Sequence, residues 1–427
     1  MAFSTIAQPI GIQPAYNRLE YIVLDPDYIT EVDFKYVFKT YVGTTLVDTS
    51  KIYPSLDTYG RFDASKILSN YVSRKPMVTL NGITTLISPA DAIEIIDYYV
   101  ICWVEYTDST GAVQLVERGG GDKKIAWNAV APYHLATNMT TFLDSFIYAA
   151  GSFKNLLNWK YYGASSFGDD SIVLKDTDYR SISFFAKTVN NGVNAHRLYV
   201  ETRTKAGATK RFGLNLNIST SNGVNYRLYH VGMGLPQLNA YTWTTTSIPP
   251  GYSSTISATE DAYLSVTIQK YNGSTYDIVS KALLFKITPS SCFNFDHYTV
   301  AYQAPYGGFG YINFSKRSDK RNETNMNTYK NILPFRYSLG DRETKVYYNQ
   351  LKESISLTTD WLYNQLQVDE IMDMLSSPFI YLIDNNYQII PVTVKTATYD
   401  YKKKNQDKLF QYQVDFNYAF DQNVIYR

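Results

Sequence analysis

The sequence predicts a mainly β protein: several antiparallel β-sandwiches, Ig-like or jelly-roll-like, followed by a C-terminal α+β unit. Three observations carry this reading. Short runs of alternating apolar and polar residues recur along the chain with the two-residue period of a strand. Clusters of Gly, Asn, Asp and Ser separate them and supply turn chemistry. The chain also holds 40 Tyr against 21 Phe and 5 Trp, and Tyr, with an apolar ring and a polar tip, suits half-buried strands. The Tyr surplus has a second, compatible reading, which is extensive contact with subunits or ligands.

The first two strands are Leu19–Leu24 and Phe34–Val42, joined by the turn DPDYITEVD. Tyr98–Thr107 and Val113–Glu117 flank Asp108–Gly111 as a hairpin. Between these pairs, Asp63 is placed to cap a short helix carrying Ile67, Leu68 and Tyr71. The triplet Gly119–Gly121 reads as a flexible joint, and no Lys-Ser/Thr follows it at phosphate-loop spacing. The expected units are residues 1–121 and 122–290, both β-sandwiches, and 291–427, the α+β unit.

The second unit opens with Phe142, Leu143, Phe146 and Ile147 at helical spacing. Strands are then expected at Ser171–Leu174, Ser181–Thr188, Arg197–Thr204, Lys210–Ile218, Asn225–Val231, Ala262–Gln269 and Ile278–Ile287, with turns at Asn190–Gly192, Ala206–Gly207, Asn222–Gly223 and Asn272–Gly273. In the third unit Tyr306–Phe314 is a glycine-broken strand. A helix near 359–377 is expected to carry Leu362, Leu366, Ile371, Met372 and Leu375 on one face, with Thr359 or Asp360 at its N-cap and Pro378 beyond its end. Strands Phe379–Ile383 and Gln388–Val394 flank the turn Asp384–Asn386. In the last strand Phe410, Tyr412, Val414, Phe416 and Tyr418 alternate with polar residues, as one buried sheet face requires.

Composition narrows the function. The chain has 40 basic and 39 acidic residues, a balance that calls for neither nucleic acid nor an anionic membrane. Cys102 and Cys292 are far apart and form no metal-ligand spacing, and a disulfide framework is not implied. The segment MAFSTIAQPIGIQP has neither the basic nor the apolar region of a signal peptide, and no run is apolar enough to cross a bilayer.

The search for chemistry returns no assignment: no catalytic, no cofactor-binding and no metal-binding residue is expected, and the chain is read as not an enzyme. His134, His196, His230 and His297 form no local motif. A nucleophile elbow is absent. Asp169, Asp170, Asp176 and Asp178 make an acidic cluster in which calcium is conceivable, but solvated turn carboxylates are the better reading. Gly232-Met-Gly234 is half of a dinucleotide fingerprint, broken by Leu235-Pro236-Gln237, and is read as a loop. Lys316, Arg317, Lys320 and Arg321, and Lys402–Lys404, are read as charged β-connections, with an acidic partner subunit as the alternative.

Several segments resemble structural proteins of tailed bacteriophages infecting Bacteroidota, including crAss-like phages. They are AYNRLEYIVLDPD and YGRFDASKILSNYV near the start, HVGMGLPQLNA, and YQAPYGGFGYINFSKRSDKRNE. The last of these has a Tyr-Gly-Gly-Phe-Gly run where a more polar segment is usual. The C-terminal TTDWLYNQLQVDEIMDMLSSPFIYLID followed by PVTVKTATYDYKKKNQDKLFQYQVDFNYAF carries the resemblance furthest. The resemblance implies a tail, baseplate or neck component of the virion, assembled in the bacterial host cytoplasm. It would form a ring or carry fibres through contacts with copies of itself, in a cyclic homo-oligomer, and with other virion proteins. Two alternatives stay open. One is a glycan- or receptor-binding module using Trp103, Trp127, Trp159, Trp243 or Trp361 on a host surface glycan. The other is a polysaccharide-degrading enzyme with scattered carboxylates.

Overall fold

The computed structural model describes residues 3–73, 87–89, 94–132, 138–146, 153–163, 171–187, 196–216, 226–272, 274–292, 295–333, 335–362, 364–383, 389–395, 411–420 and 422–423. Strands make up 52% of the chain and helices 9%, so the mainly β reading holds. His134, Asp169, Asp170, Asn190–Gly192, Asn222–Gly223, Gly273, Asp384–Asn386, Lys402–Lys404 and Phe410 lie outside the described residues.

The first unit is a two-layer sandwich. Its larger sheet runs Ile12–Pro14, Lys124–Trp127, Ile95–Thr107, Val32–Val42, Thr45–Ile52, and Val113–Gly120 also pairs with Ile95–Thr107. Its smaller sheet runs Ser4–Ala7, Glu20–Leu24, Gly60–Asp63. Ile96, Tyr98, Val100, Cys102 and Val104 are buried at every second position, so one face of the long strand meets the core. Tyr36 and Phe38 join them there against Tyr21, Val23 and Phe62 of the smaller sheet. Asp63 acts one position early. The helix is Ser65–Leu68 with Ala64 at its N-cap, while the Asp63 carboxylate accepts the amides of Leu19 and Ser65 at 2.9 and 3.0 Å.

Gly119–Gly121 is not a joint. Gly120 and Gly121 have φ of 113° and 90°, and a Cβ at Gly120 would collide with the Val100 carbonyl. Glycine is needed for a turn within the sheet, because the next strand, Lys124–Trp127, pairs straight back onto Ile95–Tyr98. The first sheet therefore extends past residue 121. In the other direction, Ile87–Pro89 pairs with Tyr229–Val231 of the second unit, so segments 1–121 and 122–290 exchange strands.

The second unit packs the sheet Ile172–Lys175, Leu283–Thr288, Asp261–Tyr271, His196–Thr204, Thr209–Leu216, Thr245–Ser247 against the three-stranded sheet Ser181–Lys187, Tyr226–Gly232, Ile87–Pro89. The expected strand Ile278–Ile287 is two strands, Tyr276–Ile278 and Leu283–Thr288. Between them the Ser280 hydroxyl accepts the Ile268 amide at 2.8 Å, taking a position that a ladder carbonyl would hold. Pairing is not wholly antiparallel: Ile12–Pro14 with Lys124–Trp127, and Ile172–Lys175 with Leu283–Thr288, run parallel. Gly232–Gly234 is not simply a loop either. Gly234 caps a short helix, Leu235–Ala240, with Pro236 in its first turn, where a missing N–H costs nothing.

Ser181 to Ala186 are buried on both faces of their strand. Ile182, Phe184 and Ala186 enter the core of the second unit. Phe185, on the other side, joins Leu228, Trp127, Phe142 and Phe146 in a separate cluster that stitches the first two units together.

The third unit is α+β. Its sheet runs Phe309–Phe314, Tyr298–Gln303, Ile380–Ile383, Ile389–Val394, Gln413–Tyr418, Thr344–Thr358, Ser318–Lys330. The helix is Gln365–Ser376, and its N-cap is Asn364, not Thr359 or Asp360. Thr359 prolongs the sheet instead: its amide donates to the Tyr412 carbonyl and its hydroxyl accepts the Tyr412 amide. The later start rotates the buried stripe to Val368, Ile371 and Met374, and leaves Leu366 exposed. That stripe packs on Val300, Tyr302, Phe314, Leu382 and Phe416. Val414 and Phe416 are buried while Gln413 and Asn417 are exposed, as the alternation predicts. No helix among the described residues is long and apolar enough to cross a membrane.

Phe185→Ala removes the ring that fills the stitching cluster. It is expected to cost about 3–5 kcal/mol in urea unfolding of the full chain. A loss under about 1 kcal/mol would show that this seam is not packed.

Candidate functional site

Two features stand out from the folded body: a cavity where the second and third units meet, and an arm that leaves the third sheet.

The cavity begins with a buried carboxylate. Asp178 sits in the turn before Ser181–Lys187 and is 4% exposed. Its Oδ2 accepts the Lys175 amide at 3.0 Å and Arg180 Nη2 at 3.2 Å. Its Oδ1 lies 3.3 Å from the Thr299 hydroxyl and 3.4 Å from His297 Nε2. Burial works to raise its pKa, but the hydrogen bond from His297 and the charge of Arg180 hold it at about 2. Asp178 is therefore not the solvated turn carboxylate expected from the sequence. Arg180 is 1% exposed; its Nη2 also donates to the Val173 carbonyl, and its guanidinium lies 5.9 Å from the Trp159 ring centroid. Its Nε has no hydrogen-bond partner among the described residues.

The opposite wall is the helix Gln365–Ser376. Glu370 Oε1 accepts two backbone amides, from Lys160 at 3.0 Å and Tyr161 at 2.9 Å. The next turn holds Asp373, paired with Lys160 at 2.5 Å. Protein surrounds the Glu370 carboxyl, and that desolvation raises its pKa to about 7, the two amides opposing. Burial likewise raises Asp373. Between these walls lies a half-open cavity of about 170 Å³, into which Trp159, Tyr161, Tyr311 and Trp361 bring aromatic surface.

A second polar series looks like chemistry and is structural. The Ser183 hydroxyl is 2.8 Å from His230 Nδ1, and His230 Nε2 is 2.8 Å from Glu94 Oε2. The members are those of a nucleophile, a base and an acid. Ser183, however, is fully buried, and a Cβ at Gly308 would collide with its hydroxyl. It presents no surface to a substrate, and the series instead ties Glu94 of the first unit to the three-stranded sheet of the second. Among the described residues no group of three or more His, Cys, Asp or Glu is placed to hold a metal ion.

The arm is a two-stranded ribbon, Ser318–Lys330 out and Thr344–Thr358 back, paired along its whole length. The return strand also pairs with Gln413–Tyr418, but only over Ser354–Thr358, and with Gln422–Asn423 at Gln350 and Leu351. Beyond that point neither strand has another neighbour in the sheets of the described residues. At about 3.3 Å per residue the six residues from Gln350 to Thr344 carry the ribbon roughly 20 Å past the sheet. Its tip carries Ile332 at 92%, Phe335 at 102% and Leu339 at 107% exposure. Lys320 and Arg321, expected in a connection, are strand residues at its base.

No protein-family model matches the chain, and no curated protein matches it.

The cavity residues escape a motif search because Trp159 and Arg180 are far in the sequence from Trp361 and Glu370 and meet them only through the fold. For the five tryptophans the structure decides between core and surface. Trp127 and Trp159 are buried, Trp103 and Trp243 are half-buried, and Trp361 alone is exposed, at the cavity.

The pKa of Glu370 gives a signed pH dependence. Its folded value, about 7, lies above the ordinary 4.5, so the folded state holds the proton more firmly than the unfolded chain. The resulting stabilisation is complete below pH 4.5 and is lost as pH rises through 7. Glu370→Gln is neutral throughout. Its stability relative to wild type is expected to rise between pH 4.5 and 8, by at most about 3 kcal/mol. A difference that stays flat across that range in thermal melts would refute the desolvated carboxyl.

Proposed function

We propose that the chain is a structural protein of a bacteriophage virion, a component of the tail that assembles through protein–protein contacts. Its partners are copies of itself in a closed ring and neighbouring virion proteins, with assembly in the host cytoplasm. The phage and tail parts of this reading are supported by the resemblance of its N-terminal, Val-Gly, aromatic-glycine and C-terminal segments to such proteins.

The arm is the observation that carries the assembly part. A two-stranded ribbon is marginal in water without a third layer, and its three tip side chains stand almost wholly in solvent. Burying a side chain of this type is worth about 1.5–3 kcal/mol, so covering all three contributes several kcal/mol toward association. Among the described residues Ser318–Lys330 is also a sheet edge over its full length, a template for strand addition. An arm and its receptor are different surfaces, so the contact is heterologous and closes into a ring when the rotation permits.

Light scattering coupled to size exclusion tests this on the full chain. Wild type is expected to form a discrete oligomer. Ile332→Ser, Phe335→Ser and Leu339→Ser together are expected to give monomers that keep the wild-type circular dichroism spectrum, because the tip lies outside every core, and that melt no higher than the oligomer. Wild-type monomers at high concentration, or purified virions lacking the chain by mass spectrometry, would sink the reading.

A further inference from the structure

We infer that the cavity beneath Trp361 is a binding site for a single neutral or amino-sugar residue, gripped between aromatic rings and the Glu370 carboxylate. The site is separate from the arm and does not depend on the assembly reading.

Size comes first. Pockets for drug-sized ligands run from about 300 to 1,000 Å³, and this cavity measures about 170 Å³. It admits one ring-sized ligand, with the open side left for an attached chain.

The lining then selects the chemistry. Trp159, Tyr161, Tyr311 and Trp361 supply apolar ring faces, and Trp361 keeps 43% of its surface in solvent. Glu370, Asp360, Gln367 and Ser315 supply polar atoms among those rings. An apolar side chain would cover the Glu370 carboxyl and offer no donor to Oε2, the oxygen that the two amides leave open. A pyranose has both properties that the cavity asks for. Its C–H face is apolar and lies flat on an indole, while its hydroxyls each donate and accept.

Charge narrows the class further. The fixed cations at and around the cavity are already engaged: Arg180 by Asp178 through Nη2, Lys160 by Asp373, and Lys316 by Asp360 at 3.1 Å. Glu370 forms no ion pair, and among the described residues its only hydrogen bonds are the two amides on Oε1. The remaining oxygen is an acceptor without a donor. A hydroxyl or an ammonium group completes it, whereas above about pH 7, where Glu370 is ionised, the carboxylate of an acidic sugar meets its like charge.

Saturation-transfer NMR on the full chain is the direct test, with methyl glycosides of glucose, galactose, mannose, N-acetylglucosamine and glucosamine, and with glucuronic acid as the charged control. Transfer to at least one neutral or amino glycoside is expected, and none to glucuronic acid. Above pH 8, Trp361→Ala and Glu370→Gln are each expected to weaken that binding by at least about tenfold, the first by removing the ring face and the second by removing one hydrogen bond to a charged acceptor. Trp361→Phe, which keeps a ring, is expected to restore most of the Trp361→Ala loss. Circular dichroism melts within a few degrees of wild type separate lost binding from lost fold. No transfer from any glycoside, stronger transfer to glucuronic acid, or binding indifferent to Trp361→Ala would each overturn the site. Protection of Trp361 by oligomerisation alone, abolished by the arm-tip substitutions, would assign the cavity to a neighbouring copy and overturn it as well.

Discussion

Asp178 carries a negative charge almost entirely out of water, and the junction of the second and third units is arranged around that fact. A buried carboxylate is tolerated only with several compensating donors and cations. Here they come from five places: the Lys175 amide, Arg180, His297, the Asn313 amide group, and the Thr299 hydroxyl on the strand Tyr298–Gln303. Asn313, on the neighbouring strand, donates to the Val173 carbonyl beside the same cluster. Removing any one leaves a charge or a donor without its partner in low dielectric. The two units are thereby fixed in register by polar geometry as well as by apolar packing, since Ala301, Phe309, Tyr311 and Ile383 of the third unit enter the core of the second.

That fixed register makes the cavity possible. The carboxylate holds Arg180 against Trp159, and the helix Gln365–Ser376 is held across the gap by Glu370 on the Lys160 and Tyr161 amides and by Asp373 on Lys160. The two acids do opposite things with burial. Asp178 meets cations and stays ionised at low pH, whereas Glu370 is desolvated with two amides as its hydrogen-bond partners and is pushed up toward neutrality. One buried acid thus serves as a structural anchor while the other stays chemically available at its open oxygen.

How much of this is legible in the sequence varies with the kind of signal. One-sided strands are the plainest: Tyr98, Val100 and Cys102, and likewise Val414 and Phe416, alternate in the sequence and are buried at alternate positions. The helix of the third unit is visible by period but misplaced at its start, because Thr359 and Asp360 are good capping residues and only the pairing with Tyr412 shows that the strand has not ended. The Gly119–Gly121 turn reads as a joint because glycine signals freedom locally, whereas its need arises from a close approach to Val100 in another strand. The site is the least legible part. Asp178 looks like a turn residue until Arg180, Thr299 and His297 are brought to it, and nothing in the spacing of Glu370 from Trp159 announces a shared cavity.

The arm escapes notice for the opposite reason. Ser318–Lys330 has no apolar alternation because neither of its faces meets a core, so the usual sign of a strand is missing where the strand is longest. Its stability cannot come from burial in its own chain; backbone pairing with Thr344–Thr358 and the Tyr329–Tyr347 ring contact are what it has. An edge strand kept polar apart from Met326 and Tyr329, and a tip made apolar at Ile332, Phe335 and Leu339, separate two tasks. The polar length keeps the free edge from indiscriminate pairing, and the apolar tip confines the favourable contact to its far end. Such a division has a physical rationale only where that end meets a surface beyond the chain's own body, and this is why the arm carries the assembly reading that the compact units by themselves do not.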